Sequence, residues 1–152
     1  MNKIKMTTLA LFGAAVLSLG SSAIAGGVGY IDYQKVQESY PLAQQAIKEV
    51  DSKATELQQY MLDKEKQYKA LDTPLKKQNF EDATARELNT KQEALYRLKS
   101  DKEELVFNKI QAAAKQVLVE QKLDAVLDFR VVFVGGVDIT DLVIQKLKSG
   151  NF

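Results

Sequence analysis

The sequence predicts a mainly helical fold with a small β part, in which a long antiparallel coiled-coil hairpin is inserted into a short-stranded β-body. Three observations predict it. Residues 42–123 contain no glycine and a single proline, Pro74. Apolar residues recur through that tract at alternating spacings of three and four. Short β-like runs flank it, one before and two after.

The chain opens with an export signal. Lys3 and Lys5 form a positive start, residues 6–19 carry no charge, and Ala23 and Ala25 supply the A-x-A pattern that signal peptidase accepts. This apolar stretch falls short of the roughly 20 residues that cross a bilayer as a helix. A membrane anchor is the competing reading. Cleavage would make residues 1–25 a signal peptide, start the mature chain near Gly26 and place it in the periplasm of a Gram-negative cell. Residues 26–40 then form the first part of the β-body. Gly27-Val28-Gly29-Tyr30-Ile31-Asp32 reads as a short strand, with Asp32 placed to cap a brief helix through Val36 and Glu38.

Residues 41–122 form the arm. Ala, Leu, Gln, Glu and Lys, all strong helix formers, dominate it. In its first half Ile47, Val50, Ala54, Leu57, Met61, Tyr68 and Leu71 mark a heptad stripe, with Lys64 at the one expected apolar position that is polar. Glu49 with Lys53 and Glu65 with Lys69 stand in the favourable order for ion pairs along a helix. At Leu71-Asp72-Thr73-Pro74-Leu75 a capping residue coincides with a proline, which is unwelcome inside a helix but suited to its first turn. A single kinked helix is the alternative; the coincidence favours a break, with the hairpin tip near residues 72–75. The second helix carries Leu88, Leu95, Leu98 and Leu105, then Val106, Ile110, Ala113 and Val117, slipping near Lys102 in a stutter.

Residues 123–152 return to the body. Ala125-Val126-Leu127 and Val131-Val132-Phe133-Val134 read as strands closed by Gly135-Gly136, and Leu142, Val143 and Leu147 mark a final amphipathic helix. Three short strands bury too little to stand alone, and the chain has no cysteine to staple them. Association through the β-body is the remaining route.

Composition removes most chemistry. With no histidine and no cysteine, the commonest base, the strongest nucleophile and the soft metal ligands are missing. Gly26-Gly27-Val28-Gly29 lacks the Gly-Lys-Ser/Thr of a phosphate loop and precedes a strand. The expectation is no enzyme, no cofactor, no metal and a cycle without ATP. Losing Lys3 and Lys5 with the signal leaves 19 basic and 20 acidic side chains, a net charge of −1, which argues against nucleic acid.

The opening and closing runs resemble a known family. Gly29-Tyr30-Ile31-Asp32-Tyr33-Gln34-Lys35-Val36 is similar to the opening strand and short helix of the OmpH/Skp family of periplasmic chaperones. Leu123-Asp124-Ala125-Val126-Leu127-Asp128, followed by Val131 to Val134, and the ending Val137-Asp138-Ile139-Thr140-Asp141-Leu142-Val143-Ile144-Gln145-Lys146-Leu147 resemble its C-terminal part. The resemblance spans essentially the whole mature chain. It implies a homotrimer whose strands form a central barrel, with three jellyfish-like arms enclosing a cavity. Unfolded outer-membrane proteins would be held there and delivered for assembly, with transient contact to the membrane or the assembly machinery. The near-neutral charge departs from the strongly basic enteric members and weakens attraction to lipopolysaccharide or acidic lipid.

On this reading Val28, Ile31, Val126, Leu127, Val132, Phe133 and Val134 are the candidate trimer core. Tyr60, Tyr68, Phe80, Tyr96 and Phe107, spread along the arm, are candidate client contacts. A structural coiled-coil spacer or envelope adaptor is the alternative function that the arm permits.

Overall fold

The structure is a computed structural model describing residues 26–150 and residue 152. The expected signal peptide, residues 1–25, lies outside the described residues. Strand β1 (Gly27–Ile31) leads into helix α1 (Tyr33–Ser39), and α2 (Pro41–Lys69) and α3 (Pro74–Glu120) follow. Strand β2 (Leu123–Asp128), a 3-10 turn (Phe129–Val131), strand β3 (Val137–Asp138) and helix α4 (Thr140–Ser149) complete the chain.

Local chemistry sets these boundaries. The Asp32 carboxylate accepts from the Lys35 backbone N–H at 3.0 Å and starts α1. Pro41 opens α2, where its missing N–H costs nothing. Thr73 caps α3 by accepting from the Lys76 N–H, Pro74 occupies the first turn, and Asp72 pairs with the Lys76 ammonium at 2.9 Å. Gly150, at φ +70°, closes α4 in the left-handed conformation that glycine adopts without strain.

The three strands form one parallel sheet in the order β2-β1-β3, so the first strand of the body is central and the others are edges. Parallel neighbours need a long crossover, and the whole hairpin of α2 and α3 is the crossover between β1 and β2. Partners run antiparallel along the hairpin. Glu49 meets Lys102 at 2.7 Å near the root, Lys64 meets Glu87 at 2.9 Å farther out, and the Tyr68 and Phe80 rings face each other at 6.3 Å near the tip.

The core sits at the root of the arm. Ile31, Val36, Ile139, Val143 and Leu147 from the body pack with Ala43 and Ala46 of α2 and Val106, Ile110, Ala113 and Val117 of α3. The body is therefore more than three strands, because the helix roots supply much of its apolar interior. Within it Thr140 is the buried polar side chain: its hydroxyl accepts from the Asp32 N–H at 2.9 Å, while its own N–H donates to the Asp138 carboxylate. Hydrogen bonding from the Thr140 side chain and from its backbone N–H holds the Asp138 carboxyl below the usual carboxylate range.

Four expectations need correction. Residues 131–134 are not a strand. The Asp128 carboxylate accepts from the Arg130 N–H and pairs with its guanidinium at 2.7 Å, curling the chain into the 3-10 turn. Gly135 and Gly136, both at φ above +80°, then reverse it so that Val137–Asp138 forms β3 instead. A side chain at position 136 would press on the Val28 carbonyl oxygen at 3.1 Å. Along the first half of the arm only part of the expected stripe turns inward. Val50, Leu57, Lys64, Tyr68 and Leu71 are half-buried, whereas Ile47, Ala54 and Met61 are exposed and Ala43, Ala46 and Tyr60 take the facing positions. In α3 Leu105 is exposed and the inward positions are Leu98, Lys102, Val106 and Ile110, consecutive steps of four. Finally, Glu49 reaches across to Lys102, leaving Lys53 to pair with Glu56.

Candidate functional site

Beyond the root the arm has no fully buried side chain among the described residues, so its facing surfaces stay partly open. On the outer half, Tyr60, Met61 and Tyr68 of α2 and Phe80, Thr84 and Leu88 of α3 line an apolar groove of about 340 Å³. Lysines frame the rings. Lys64 lies 5.2 Å from the Tyr60 centroid and 5.3 Å from that of Phe80, Lys91 lies 4.7 Å over Tyr60, and Lys77 lies 5.4 Å over Tyr68. Such distances permit cation–π attraction. Glu87 accepts from the Tyr60 hydroxyl and from Lys64, which together hold its carboxyl below the usual range. The Thr84 hydroxyl is buried with no partner among the described residues.

The five candidate client contacts thus separate into three places. Tyr60, Tyr68 and Phe80 share the outer groove. Tyr96 stands apart on the helix surface, 74% exposed. Phe107 belongs to the root, where its ring is 6.5 Å from that of Tyr33. There it borders a second groove of about 530 Å³, whose apolar lining includes Ile31, Ile110, Val126 and Leu127. Tyr33 was missed by sequence reading because it begins a short helix whose burial pattern is too brief to show a period.

The candidate trimer residues also divide. Ile31 is buried in the chain's own core and Val126 packs against it. Val28 and Leu127 are about two-fifths exposed, Val132 is half-buried, and Phe133 and Val134 are 102% and 86% exposed. With Val131 and Val137 they leave an apolar surface beside the sheet, and β2 presents an edge with no neighbour among the described residues. Uncovered apolar surface and an unpaired edge are both features that a partner chain removes.

The family described as Outer membrane protein (OmpH-like) matches residues 27–147. The chain belongs to the OmpH-like family. This is the family that the opening and closing runs of the sequence resemble. The match begins at the first residue of β1 and ends inside α4, so it takes in the sheet, both arm helices and the core. A solved structure from Caulobacter crescentus CB15, named provisionally as an OmpH-like outer membrane chaperone, is similar to this OmpH-like chain. The two share 18% identity over 95% of this chain and 92% of that one, with a TM-score of 0.39. No curated protein sequence matches. No described helix is long and apolar enough to cross a membrane.

Proposed function

We propose that this OmpH-like protein is an ATP-independent periplasmic holdase that shields unfolded outer-membrane proteins from aggregation and hands them on for assembly. The observation that carries the reading is apolar surface in two separate places. The outer groove of Tyr60, Tyr68 and Phe80 lies on an extended arm, where an unfolded chain can reach it. The exposed Leu127, Phe133 and Val134 lie on the body, where they serve a different purpose.

The body surface joins three copies into a homotrimer. Burying Phe133 and Val134 against a neighbour removes large side chains from water, at roughly 1.5–3 kcal/mol for each fully buried one. Three bodies so joined set three arms around a common space. Clients differ in sequence, so the arms hold them by many shallow apolar contacts instead of one fitted pocket. The acidic–basic balance of the mature chain keeps such contacts from depending on charge.

The test mixes a urea-denatured barrel protein with the protein purified from the periplasm and follows light scattering after dilution, without nucleotide. A holdase suppresses scattering at near-stoichiometric amounts. A structural spacer leaves the client to aggregate, and that result overturns the proposal. Light scattering of the protein alone tests the trimer: Leu127→Asp places an uncompensated charge in the joined surface and should yield single chains. An intact trimer for Leu127→Asp overturns the assignment of this surface.

A further inference from the structure

Where β1 begins, the sheet contains one residue more than its pairing needs. Gly27 pairs with Leu123 and Val28 pairs with Ala125, so Asp124 is the extra residue of a bulge in β2. Bulges re-aim a side chain, and this one turns the Asp124 carboxylate back over Gly26. A Cβ on Gly26 would lie 2.1 Å from one carboxylate oxygen, 3.0 Å from the carboxyl carbon and 3.2 Å from the other oxygen. Gly26 also adopts φ +73°, the left-handed backbone conformation that glycine takes without strain. Because a residue's nitrogen sits about 2.5 Å from its Cβ position by standard geometry, the nearer carboxylate oxygen is within roughly 4.6 Å of the Gly26 nitrogen. Among the described residues no salt bridge engages Asp124.

We propose that Asp124 is the built-in acceptor for the α-ammonium group created on Gly26 when the chain is cut after Ala25. This rests on the export reading and deepens it. The cut hydrolyses the Ala25–Gly26 peptide bond. Water supplies the hydroxyl of the new Ala25 carboxyl and a hydrogen to the Gly26 nitrogen; the carboxyl proton then passes to the amine, leaving carboxylate and ammonium. Before the cut the Gly26 nitrogen is a neutral amide with one hydrogen to donate. Afterwards it is a cation with three. The ion pair fastens the first turn of the central strand to β2, and only the processed chain can form it. Closure of the body is thereby coupled to export.

The experiment expresses the full chain and its Asp124→Asn variant in a Gram-negative host and isolates both from the periplasm. Intact mass reads the start of the chain. Brief acetylation with an N-hydroxysuccinimide ester at neutral pH, followed by peptide mass analysis, then reads the reactivity of the Gly26 amine. The expected result is a chain starting at Gly26 whose amine reacts roughly two- to fivefold more slowly than that of Asp124→Asn, the range an exposed ion pair supports. The difference should vanish in denaturing urea. Equal native rates in chains that both start at Gly26 overturn the pairing and leave the export reading standing. A periplasmic chain that starts elsewhere overturns the pairing through its cleavage site, and failure to reach the periplasm at all overturns the export reading.

Discussion

The Lys64 ammonium of α2 lies 2.9 Å from the Glu87 carboxylate of α3, on the faces that the two helices turn toward each other. Lys64 keeps 21% of its side chain exposed, less than any other lysine in a described salt bridge. A polar residue in an apolar seam fixes register at some cost in stability, a role that Lys64 shares with Lys102 of α3. Lys64→Met should therefore raise the thermal midpoint while loosening the register. The chain has no cysteine, so introduced pairs report cleanly. Cysteines at Glu49 and Lys102 should cross-link in both backgrounds. Cysteines at Lys53 and Lys102, one turn out of register, should cross-link several-fold more once Lys64 is Met; yields that stay at background count against the register role.

Acid should open the same contact. Glu87 lies below the ordinary carboxylate range because the Tyr60 hydroxyl donates to it and because Lys64 both donates to it and attracts it. A folded value lower than the unfolded one gives stability that is complete above the unfolded value, near about pH 4.3, and is lost as pH falls through the folded value. Thermal midpoints measured from neutral pH downward should fall more steeply for the wild type than for Glu87→Gln. Glu65, Asp72, Asp128 and Asp138 are also held low and remain in both proteins, so their effects cancel in the comparison. Parallel curves would show that the contact contributes nothing.

Much of the fold was legible because its signals are local. Asp32 and Thr73 cap as their side-chain oxygens allow, and Pro74 opens a helix as its missing N–H requires. What escaped depends on a partner surface. Ile47, Ala54 and Met61 fit a heptad as well as the residues that face inward, and only the position of α3 selects Ala43, Ala46 and Tyr60 instead. The apolar run at residues 131–134 carries every sign of a strand, yet the Asp128–Arg130 pair turns the chain just before it. Strand β3 has two residues and no pattern to read. That Tyr60, Tyr68 and Phe80 form one groove follows from the hairpin register, which no single-helix periodicity contains.

The body core should dominate the stability of the single chain. Ile110 is 2% exposed and packs where α3 meets the body. Ile110→Ala removes apolar contact and leaves a cavity, so unfolding in urea should show a loss of about 2–5 kcal/mol. Phe133→Ala lies on fully exposed surface and should change unfolding of the dissociated chain by about 0.5 kcal/mol or less. A large loss at Phe133 in single chains would place that ring inside the fold and remove it from the proposed joining surface.

Client holding should weaken in a pattern set by the groove. Tyr60, Tyr68 and Phe80 share one lining, so an unfolded segment that touches one ring touches its neighbours. Tyr96 stands apart from that groove, so its effect should be independent of theirs. Shallow, adaptable contacts contribute on the order of 0.5 kcal/mol each, so a single alanine at any of these positions should lower affinity for a denatured barrel protein about twofold. Tyr60→Ala combined with Phe80→Ala should depart from the product of the single effects, because neighbours in one groove are coupled. Adding Tyr96→Ala should multiply the loss of the double variant by a further factor of about two, at unchanged trimer mass. Fluorescence titration of a labelled client against each variant reads all of these values. A single substitution that abolishes binding while helicity and mass persist would replace the distributed mechanism with one discrete binding site.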